Sequence, residues 1–251
     1  MFPILNIGPL AIQTPGLLNI IGIYISILVV EKQSKRYSLN TKDVSNLIFL
    51  YLISTIIIGR LSYVFQFPSL FFENPLSIFS ISSSLFDFTS GLILALLVAL
   101  IFIQKKKLPL QRILDAISLP LLIFLIFLFL SLFASGNFYG KPSSLAWSIQ
   151  LWGTTRHPIQ IYYIIGLIPV IATNIYISRK KLIPGQLFFR TVFYLAILVV
   201  FLDFFNGNPN NLILSANLLQ IIAWLVMVVF IFVNTKAKKK KDEESNFNFN
   251  S

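Results

Sequence analysis

The stretch SGNFYGKPSSLAWSIQLWGTTRHPIQIYY, residues 135–163, is the longest weakly apolar interval of the chain. It contains two of the three tryptophans, three of the eleven glycines and the only histidine, His157. Long apolar runs lie on both sides of it. We therefore expect it to form a polar head region between two apolar segments, and we expect the functional side chains to be gathered there.

The composition outside this stretch decides the class of protein. Of the 251 residues, 56% are hydrophobic and 12% are charged, whereas soluble domains are about 25% charged. So much apolar surface cannot be hidden in one soluble core, so lipid must cover it. The apolar runs are continuous over roughly 17 to 22 residues and do not alternate as barrel strands do. The sequence therefore predicts an all-α polytopic membrane protein.

Seven apolar runs are interpreted as spans, and a lead-in at residues 1–15 is predicted to lie at the membrane interface because prolines break it. The predicted spans are residues 16–30, 44–65, 85–103, 113–134, 157–178, 191–205 and 212–233. We interpret residues 1–233 as one seven-helix domain whose head region, residues 135–157, lies between spans four and five. Residues 234–251 are predicted to be a disordered basic and polar tail.

The lysines and arginines predict the orientation. Loops after odd-numbered spans, together with the tail, carry seventeen of them, whereas the opposite side carries two, Lys141 and Arg156. Because basic loops stay in the cytoplasm, the N-terminus is predicted outside, the tail in the cytoplasm and the head region on the outer face. The net charge of +11 is thus a topology signal with some affinity for anionic lipid, and it predicts no nucleic-acid partner.

Several kinds of site are disfavoured by composition. The chain has no cysteine, which excludes disulfides, cysteine nucleophiles and cysteine-ligated metals. One histidine and nine scattered acidic residues make a zinc or di-iron centre improbable. We expect neither a metal nor a cofactor.

Charges within the spans are costly and mark function or pairing. Four are present: Arg60, Asp87, Asp115 and Asp203. For Arg60 two interpretations stay open, a structural ion pair with Asp87 or Asp203, or a cation for a lipid phosphate. For Asp115 the sequence favours an acid at a helix N-terminus, stabilised by the helix dipole.

The motif RHPIQ begins the predicted fifth span. Proline is favoured in the first turn of a helix, and Gln160 follows Arg156 by four residues and His157 by three. This spacing predicts that the three side chains share one helix face. Two roles for His157 remain open, a hydrogen-bonded structural residue or a group that binds a lipid head or tethers a loop.

From about Ile7 to Trp224 the sequence resembles the bacterial phosphatidylglycerol–prolipoprotein diacylglyceryl transferases. The resemblance rests mainly on three motifs, which are Gly59-Arg60-Leu61 with Tyr63-Val64, Tyr139-Gly140-Lys141-Pro142, and Arg156-His157-Pro158 with Gln160 and Tyr162. Seven spans with an outer N-terminus also resemble the family's topology.

The resemblance implies a transfer of a diacylglyceryl group from phosphatidylglycerol to the cysteine thiol of a prolipoprotein lipobox, in the bacterial cytoplasmic membrane. The implied partners are a phosphatidylglycerol-like phospholipid and a prolipoprotein signal peptide. His157 or Asp203 would be the base. The implied substrate-binding residues are Arg60 and Arg156 for phosphate, with Asn137, Tyr139, Gly140, Lys141 and Gln160 for the head group.

The chain departs from the family at several motif positions. A family arginine falls on Phe129, an asparagine on Leu132, and glutamates on Asn137 and Tyr163, while the histidine of the third span is missing. These departures keep open the alternative of a non-catalytic relative that binds lipid or signal peptide. A transporter or channel is a third hypothesis, which the lack of an inverted repeat between the halves disfavours.

Overall fold

A computed structural model describes residues 2–8, 10–72, 75–80, 85–207, 212–213, 216–217 and 220–230. The described helices are α1 (Thr14–Arg36), α2 (Thr41–Gln66), α3 (Ser69–Phe72), α4 (Phe88–Lys105), α5 (Leu110–Ser135), α6 (Ile159–Ser178), α7 (Gln186–Leu202) and α8 (Gln220–Phe230). Short 3₁₀ helices cover Pro75–Phe79 and Asp203–Phe205. Six helices among the described residues, namely α1, α2, α4, α5, α6 and α7 with its 3₁₀ extension, are long and apolar enough to cross a membrane. The prediction of a polytopic helical membrane protein is thereby confirmed.

The structure divides into two compact units. One comprises the described parts of Met1–Val29 and Ile117–Ser251, and the other is Val30–Ala116. In the second unit α2 packs on α4 through small residues. Gly91 lies so close to α2 that a Cβ there would be 3.0 Å from the Gly59 Cα and 2.5 Å from the Thr55 carbonyl oxygen. Small residues allow this close helix approach where lipid supplies no hydrophobic drive.

In the first unit, α5, α6 and α7 share two apolar clusters. One is built on Leu122, Leu167 and Val170, and the other on Ile159, Tyr163 and Leu202. Because α5 ends where the head region begins and α6 starts just after it, their packing fixes where the two ends of the head region lie.

Short strand pairs lie towards both ends of the chain. Within residues 1–15, which are predicted to be an interfacial lead-in and not a span, Ile4–Ile7 (β1) pairs antiparallel with Leu10–Gln13 (β2), and α1 begins at Thr14. Within predicted span seven, Leu212–Ile213 (β5) pairs with Ala216–Asn217 (β6), and only Gln220–Phe230 is helical among its described residues. Backbone groups that pair between strands are unavailable to a helix. The predicted tail, residues 234–251, lies outside the described residues.

Candidate functional site

The YGKP segment lies between two other pieces of backbone. On one side the Gly140 N–H donates to the His157 carbonyl oxygen at 3.2 Å, and the His157 N–H donates to the Lys141 carbonyl oxygen at 3.0 Å. On the other side the Lys141 N–H donates to the Phe205 carbonyl oxygen at 2.8 Å, and the Gly207 N–H to that of Tyr139 at 3.0 Å. These bonds join segments that are far apart in the sequence.

Gly140 is required by this close approach. A Cβ at that position would lie 2.6 Å from the His157 Cβ and still closer to the His157 carbonyl oxygen. Contacts that short are not tolerated, so any side chain at Gly140 would push the YGKP segment away from His157. Gly140 therefore allows the YGKP segment to lie against the backbone of His157.

The head region contains one described hairpin. Ile149–Leu151 (β3) pairs with Thr154–Arg156 (β4). The turn residues Trp152 and Gly153 both have positive φ, 54° and 77°, as the two-residue turns that match strand twist require. The Trp152 indole N–H donates to the Gly136 carbonyl oxygen at 3.2 Å, which fastens the hairpin to the chain just after α5.

Arg156 is half-buried and contacts neutral groups. Its Nε–H donates to the Leu151 carbonyl oxygen at 3.3 Å and its Nη1–H to that of Gly140 at 3.4 Å, while the guanidinium lies 4.7 Å from the centre of the Tyr139 ring. No carboxylate among the described residues pairs with it. Its positive charge is therefore available to an anion.

His157 forms part of a three-residue chain of hydrogen bonds. Its Nδ1 lies 3.1 Å from the Tyr162 hydroxyl oxygen, and the Trp147 indole N–H donates to that same oxygen at 2.8 Å. Phe205 packs edge-on against both rings, with ring centres 5.1 Å from His157 and 5.9 Å from Tyr162. The imidazole is thus held by one hydrogen bond and by edge-on ring contacts with Phe205 and Tyr162.

These rings line an apolar cavity of about 720 Å³. Its walls come from the end of α5, the head region, α6 and α7, and they include Phe133, Trp147, Ile161, Ile165, Phe201 and Phe205. Ile165 and Phe201 are 59% and 63% exposed and belong to helices long enough to span a membrane. The cavity therefore opens beside exposed apolar side chains of two candidate membrane-spanning helices.

A sequence model of the prolipoprotein diacylglyceryl transferase family matches residues 3–235. The chain belongs to this family. It is 32% identical over 192 residues to the phosphatidylglycerol–prolipoprotein diacylglyceryl transferase of Bordetella parapertussis, and the aligned residues cover 72% of this chain and 73% of the relative. The transferase of that name from Geobacter sulfurreducens is 25% identical over 218 residues, 84% of each chain. That from Rhizobium meliloti is 26% identical over 219 residues, 81% of this chain and 78% of the relative.

Membership of the prolipoprotein diacylglyceryl transferase family confirms the resemblance found from the motifs, but one geometric expectation for RHPIQ is wrong. Arg156 ends β4 and α6 begins only at Ile159, so Arg156, His157 and Gln160 do not share a helix face. Backbone pairing of His157 with the YGKP segment keeps it extended, and the helix starts after Pro158. The three side chains have different partners as a result.

Gln160 is fully buried beneath the head region. Its amide nitrogen donates to the main-chain carbonyl oxygen of Asn137 at 2.8 Å, and its Oε1 has no hydrogen-bond partner among the described residues. Asn137 is exposed and its described hydrogen bonds use main-chain atoms, and Lys141 is exposed as well. This member of the family thus brings Asn137, Tyr139, Gly140, Lys141, Arg156, His157 and Gln160 into one region.

Asp203, the other candidate base, is 6% exposed at the end of α7. Its Oδ1 accepts a hydrogen bond from the Asn206 amide at 3.0 Å, and Asn206 forms a β-bridge with Gly140. In the sequence Asp203 comes two residues before Phe205, which lines the cavity.

Arg60 belongs to the other unit. Its Nε–H donates to the Ile78 carbonyl oxygen at 2.7 Å, its Nη1–H to that of Leu85 at 2.6 Å, and its Nη2–H to that of Ser77. Phe71 and Phe86 lie beside the guanidinium at 5.5 and 5.2 Å. The guanidinium is thus held by neutral main-chain groups.

Of the two partners suggested for Arg60, Asp87 does not pair with it. Asp87 instead caps α4, where its carboxylate accepts from the Ser90 N–H at 3.2 Å and the Ser90 hydroxyl at 2.5 Å, and it also accepts from the Gln66 amide at 2.7 Å. An Arg60–Asp87 ion pair is therefore not formed. The other suggested partner, Asp203, belongs to the first unit.

Two residues of the cavity were not predicted as functional from the sequence. Trp147 carries no motif, and Tyr162 was noted only as a match to RHPxQxY. The available signal was their amphipathic character, since tryptophan and tyrosine combine an apolar ring with a polar group that can form a hydrogen bond. Nothing in the spacing indicated that the Tyr162 hydroxyl would contact both Trp147 and His157.

Proposed function

We propose that this chain transfers a diacylglyceryl group from phosphatidylglycerol to the thiol of a prolipoprotein lipobox cysteine. The observation that carries the proposal is the apolar cavity between candidate membrane-spanning helices and the head region, with the only histidine of the chain in its wall, in a chain that belongs to the diacylglyceryl transferase family. An apolar cavity beside a few polar groups suits a lipid that reacts next to its head group.

The chemistry requires a nucleophile, a base and a site for departing charge. The thiol gives its proton to a base and attacks the diacylglycerol carbon that bears the phosphate. A sulfur–carbon bond forms, the carbon–oxygen bond breaks, and glycerol phosphate leaves with the electron pair. His157 and Asp203 are the candidate bases. Arg156 and Lys141 have no carboxylate partner among the described residues, which supports their assignment to the departing phosphate.

The remaining members of the site bind the head group. Tyr139 and Gly140 hold the guanidinium of Arg156, and the buried Gln160 would position the exposed Asn137 for the head group through the hydrogen bond to its main-chain carbonyl oxygen. Arg60 remains a proposed phosphate contact. Three of its N–H groups donate to main-chain carbonyls, so only its other N–H groups are available to a phosphate.

We also propose that the protein resides in the bacterial cytoplasmic membrane with seven spans, the N-terminus and head region outside, and the basic tail in the cytoplasm. The strong asymmetry of lysine and arginine between alternate loops supports this orientation. Residues 1–233 then act as one transmembrane domain. The phospholipid enters from the bilayer, and the signal peptide of the prolipoprotein brings the thiol to the outer face.

The experiment uses purified full-length protein in vesicles that contain phosphatidylglycerol, together with a synthetic lipobox peptide. The expected product is a peptide with a thioether-linked diacylglyceryl group, detected by mass spectrometry, and a peptide with serine in place of cysteine should give none. His157→Ala and Asp203→Asn should each reduce the rate by about 100-fold or more if the residue is the base. Tyr24→Phe, an exposed site on α1, serves as the matched control.

A different outcome would favour the non-catalytic alternative. In that case phosphatidylglycerol would copurify with the protein and no lipidated peptide would form. Solute flux through the vesicles without lipidation would favour a transporter.

A further inference from the structure

We infer that His157 presents Nε2–H to the cavity as a hydrogen-bond donor, held in that tautomer by Tyr162 and Trp147, and that it binds a phosphate oxygen of an amphiphile whose acyl chain occupies the cavity. This inference deepens the proposed function and rests on it for the identity of the lipid. It assigns positioning roles to Tyr162 and Trp147, and it changes the role of His157 from base to donor.

The two partners of the Tyr162 hydroxyl determine which group donates in each hydrogen bond from Trp147 to His157. A tryptophan indole only donates, so Trp147 uses one lone pair of the Tyr162 hydroxyl at 2.8 Å. The contact of 3.1 Å between that hydroxyl and the His157 Nδ1 is the other described hydrogen bond of Tyr162. The hydroxyl hydrogen therefore either points at Nδ1 or lacks an acceptor among the described residues.

Two arrangements of neutral His157 are possible, and they differ in the number of unsatisfied groups. If Tyr162 donates to Nδ1, the proton of the imidazole is on Nε2, and that N–H is the one group left without a partner. If Nδ1–H donates to Tyr162, both the tyrosine hydrogen and the Nε2 lone pair are left over. Tyr162 and His157 are half-buried, and a polar group that finds no partner there carries a cost to the extent that water is excluded from it. The first arrangement is favoured, and a tyrosine that accepts from tryptophan is a stronger donor to histidine.

The imidazole is also fixed in space. The main chain of His157 is bonded on both sides to the YGKP segment, through its N–H to Lys141 and its carbonyl oxygen to Gly140. Phe205 packs against the imidazole edge-on at 5.1 Å. The imidazole therefore has little freedom to flip and exchange the positions of Nδ1 and Nε2. Nε2 has no hydrogen-bond partner among the described residues, and the ring lines the cavity.

The surroundings determine what Nε2–H would bind. The cavity walls are apolar, and its volume of about 720 Å³ is in the range of small-molecule sites, roughly 300–1,000 Å³. An acyl chain suits such walls. Arg156, the residue before His157, and Lys141, which pairs with its backbone, bring two positive charges without a described carboxylate partner. An anionic oxygen acceptor is therefore favoured over an ester carbonyl, and phosphate is the anion that a membrane lipid carries.

This assignment leaves the proton of the thiol to another group. A histidine that already carries its proton on the cavity-facing nitrogen cannot accept a second one there without turning its ring. Asp203, at the end of α7, is then the remaining candidate base.

The test makes use of the fact that His157 is the only histidine. Full-length protein labelled with ¹³C and ¹⁵N in histidine is prepared in a maltoside detergent, which contains no phosphate, and the pH is raised until the signals stop changing. Wild type is expected to show the Nε2–H tautomer, with Nδ1 accepting a hydrogen bond. Tyr162→Phe should lower the ratio of Nε2–H to Nδ1–H about fivefold, as expected for one ordinary hydrogen bond. Trp147→Phe should have the same sign and a smaller effect.

Control variants separate the hydrogen bonds from general changes of the fold. Tyr24→Phe and Trp224→Phe, at exposed positions, should leave the tautomer unchanged. A predominant Nδ1–H tautomer in wild type, or a tautomer ratio that does not respond to Tyr162→Phe, would overturn the inference. Neither readout requires turnover, so a failed transfer assay and a failed tautomer assay are distinguishable.

The ligand is tested by titration of the labelled protein. Phosphatidylglycerol should shift the Nε2–H signal, whereas diacylglycerol and free glycerol phosphate at equal concentration should not. Ile165→Trp fills the cavity and should weaken the response to phosphatidylglycerol about tenfold, while Ile168→Trp, equally exposed on the same helix, should not. An equal shift with diacylglycerol would overturn the phosphate assignment. An equal shift with glycerol phosphate, or no shift with any ligand, would overturn the lipid site.

Discussion

The rings of Phe129 and Tyr163 stack almost parallel, with their centres 4.3 Å apart and their planes at 8°. Phe129 is on α5 and Tyr163 is on α6, and Phe138 closes the cluster at 6.1 and 5.7 Å from them. The motif comparison assigns the family's arginine and glutamate to the positions of Phe129 and Tyr163. The two departures are therefore neighbours in the fold. Opposite charges at such neighbouring positions can be replaced by well-packed apolar groups without loss of stability.

The first prediction is that Phe129 and Tyr163 are energetically coupled. Phe129→Arg alone should destabilise the protein by about 3–5 kcal/mol, because it leaves an unpaired charge in a packed cluster. Adding Tyr163→Glu should recover more than half of that loss. A double-mutant cycle measured by denaturation in detergent gives the coupling. Strictly additive effects of the two substitutions would contradict it, and Phe129→Leu, which adds no charge, is the matched control.

Arg60 is predicted to stabilise its unit through the main chain. Arg60→Gln should cost about 3 kcal/mol, since it removes charge-assisted bonds from a buried guanidinium to three main-chain carbonyls. Arg60→Lys should rescue little, because an ammonium cannot reproduce the planar fork that serves three carbonyls. Denaturation of both variants in a detergent without phosphate measures the effect. Arg179→Gln, an exposed site at the end of α6, should change stability by less than about 0.5 kcal/mol. If Arg60→Gln weakened lipid binding and left stability unchanged, Arg60 would be a ligand contact and not a structural residue.

Tyr37, just after α1, is predicted to limit stability at alkaline pH. Burial raises the pKa of Tyr37, the Asp115 carboxylate raises it further, and Arg36 partly opposes them. An unfolded tyrosine ionises near pH 10, whereas the folded one holds its proton. The stability contributed by Tyr37 is therefore fully present below about pH 10 and is lost as the pH rises from there towards the folded pKa.

The hydroxyl of Tyr37 is also buried without a hydrogen-bond partner among the described residues. Tyr37→Phe should thus stabilise the protein by about 1 kcal/mol near neutral pH, and it should flatten the decline of stability above pH 10. Denaturation at several pH values gives both quantities. Tyr24→Phe at an exposed position should change neither, and a Tyr37→Phe variant that is less stable than wild type at neutral pH would contradict the prediction.

The proposed orientation is testable because the chain contains no cysteine. Ser144→Cys in the head region should react with a membrane-impermeant maleimide added to intact cells, because Ser144 is exposed and is assigned to the outer face. Lys106→Cys, exposed just after α4, should react only after the membrane is permeabilised. Labelling in the reverse pattern would refute the orientation, and the parent chain is the blank.

The sequence predicted the architecture well because membrane helices are determined by local composition. A run of about 20 apolar residues must satisfy its backbone within itself when no water is available, so six spans could be located without knowledge of their neighbours. The prediction did less well where the backbone pairs with another segment. Ile4–Ile7 pairs with Leu10–Gln13, Leu212–Ile213 pairs with Ala216–Asn217, and Arg156 and His157 lie before α6, because their N–H and carbonyl groups bond to partners that no local pattern reveals.

By itself, the stretch at residues 135–163 determined where the polar residues of the chain are and, through YGKP and RHPIQ, which family it belongs to. Only the tertiary structure decided what those residues contact. Trp147 donates a hydrogen bond to the hydroxyl oxygen of Tyr162, fifteen residues away in the sequence, and the ring of Phe129 on α5 stacks on that of Tyr163 on α6. Side-chain packing between helices depends on distances in space, and the order of the sequence does not encode these distances locally. The stack of Phe129 on Tyr163 and the chain from Trp147 to His157 are therefore properties of the folded molecule.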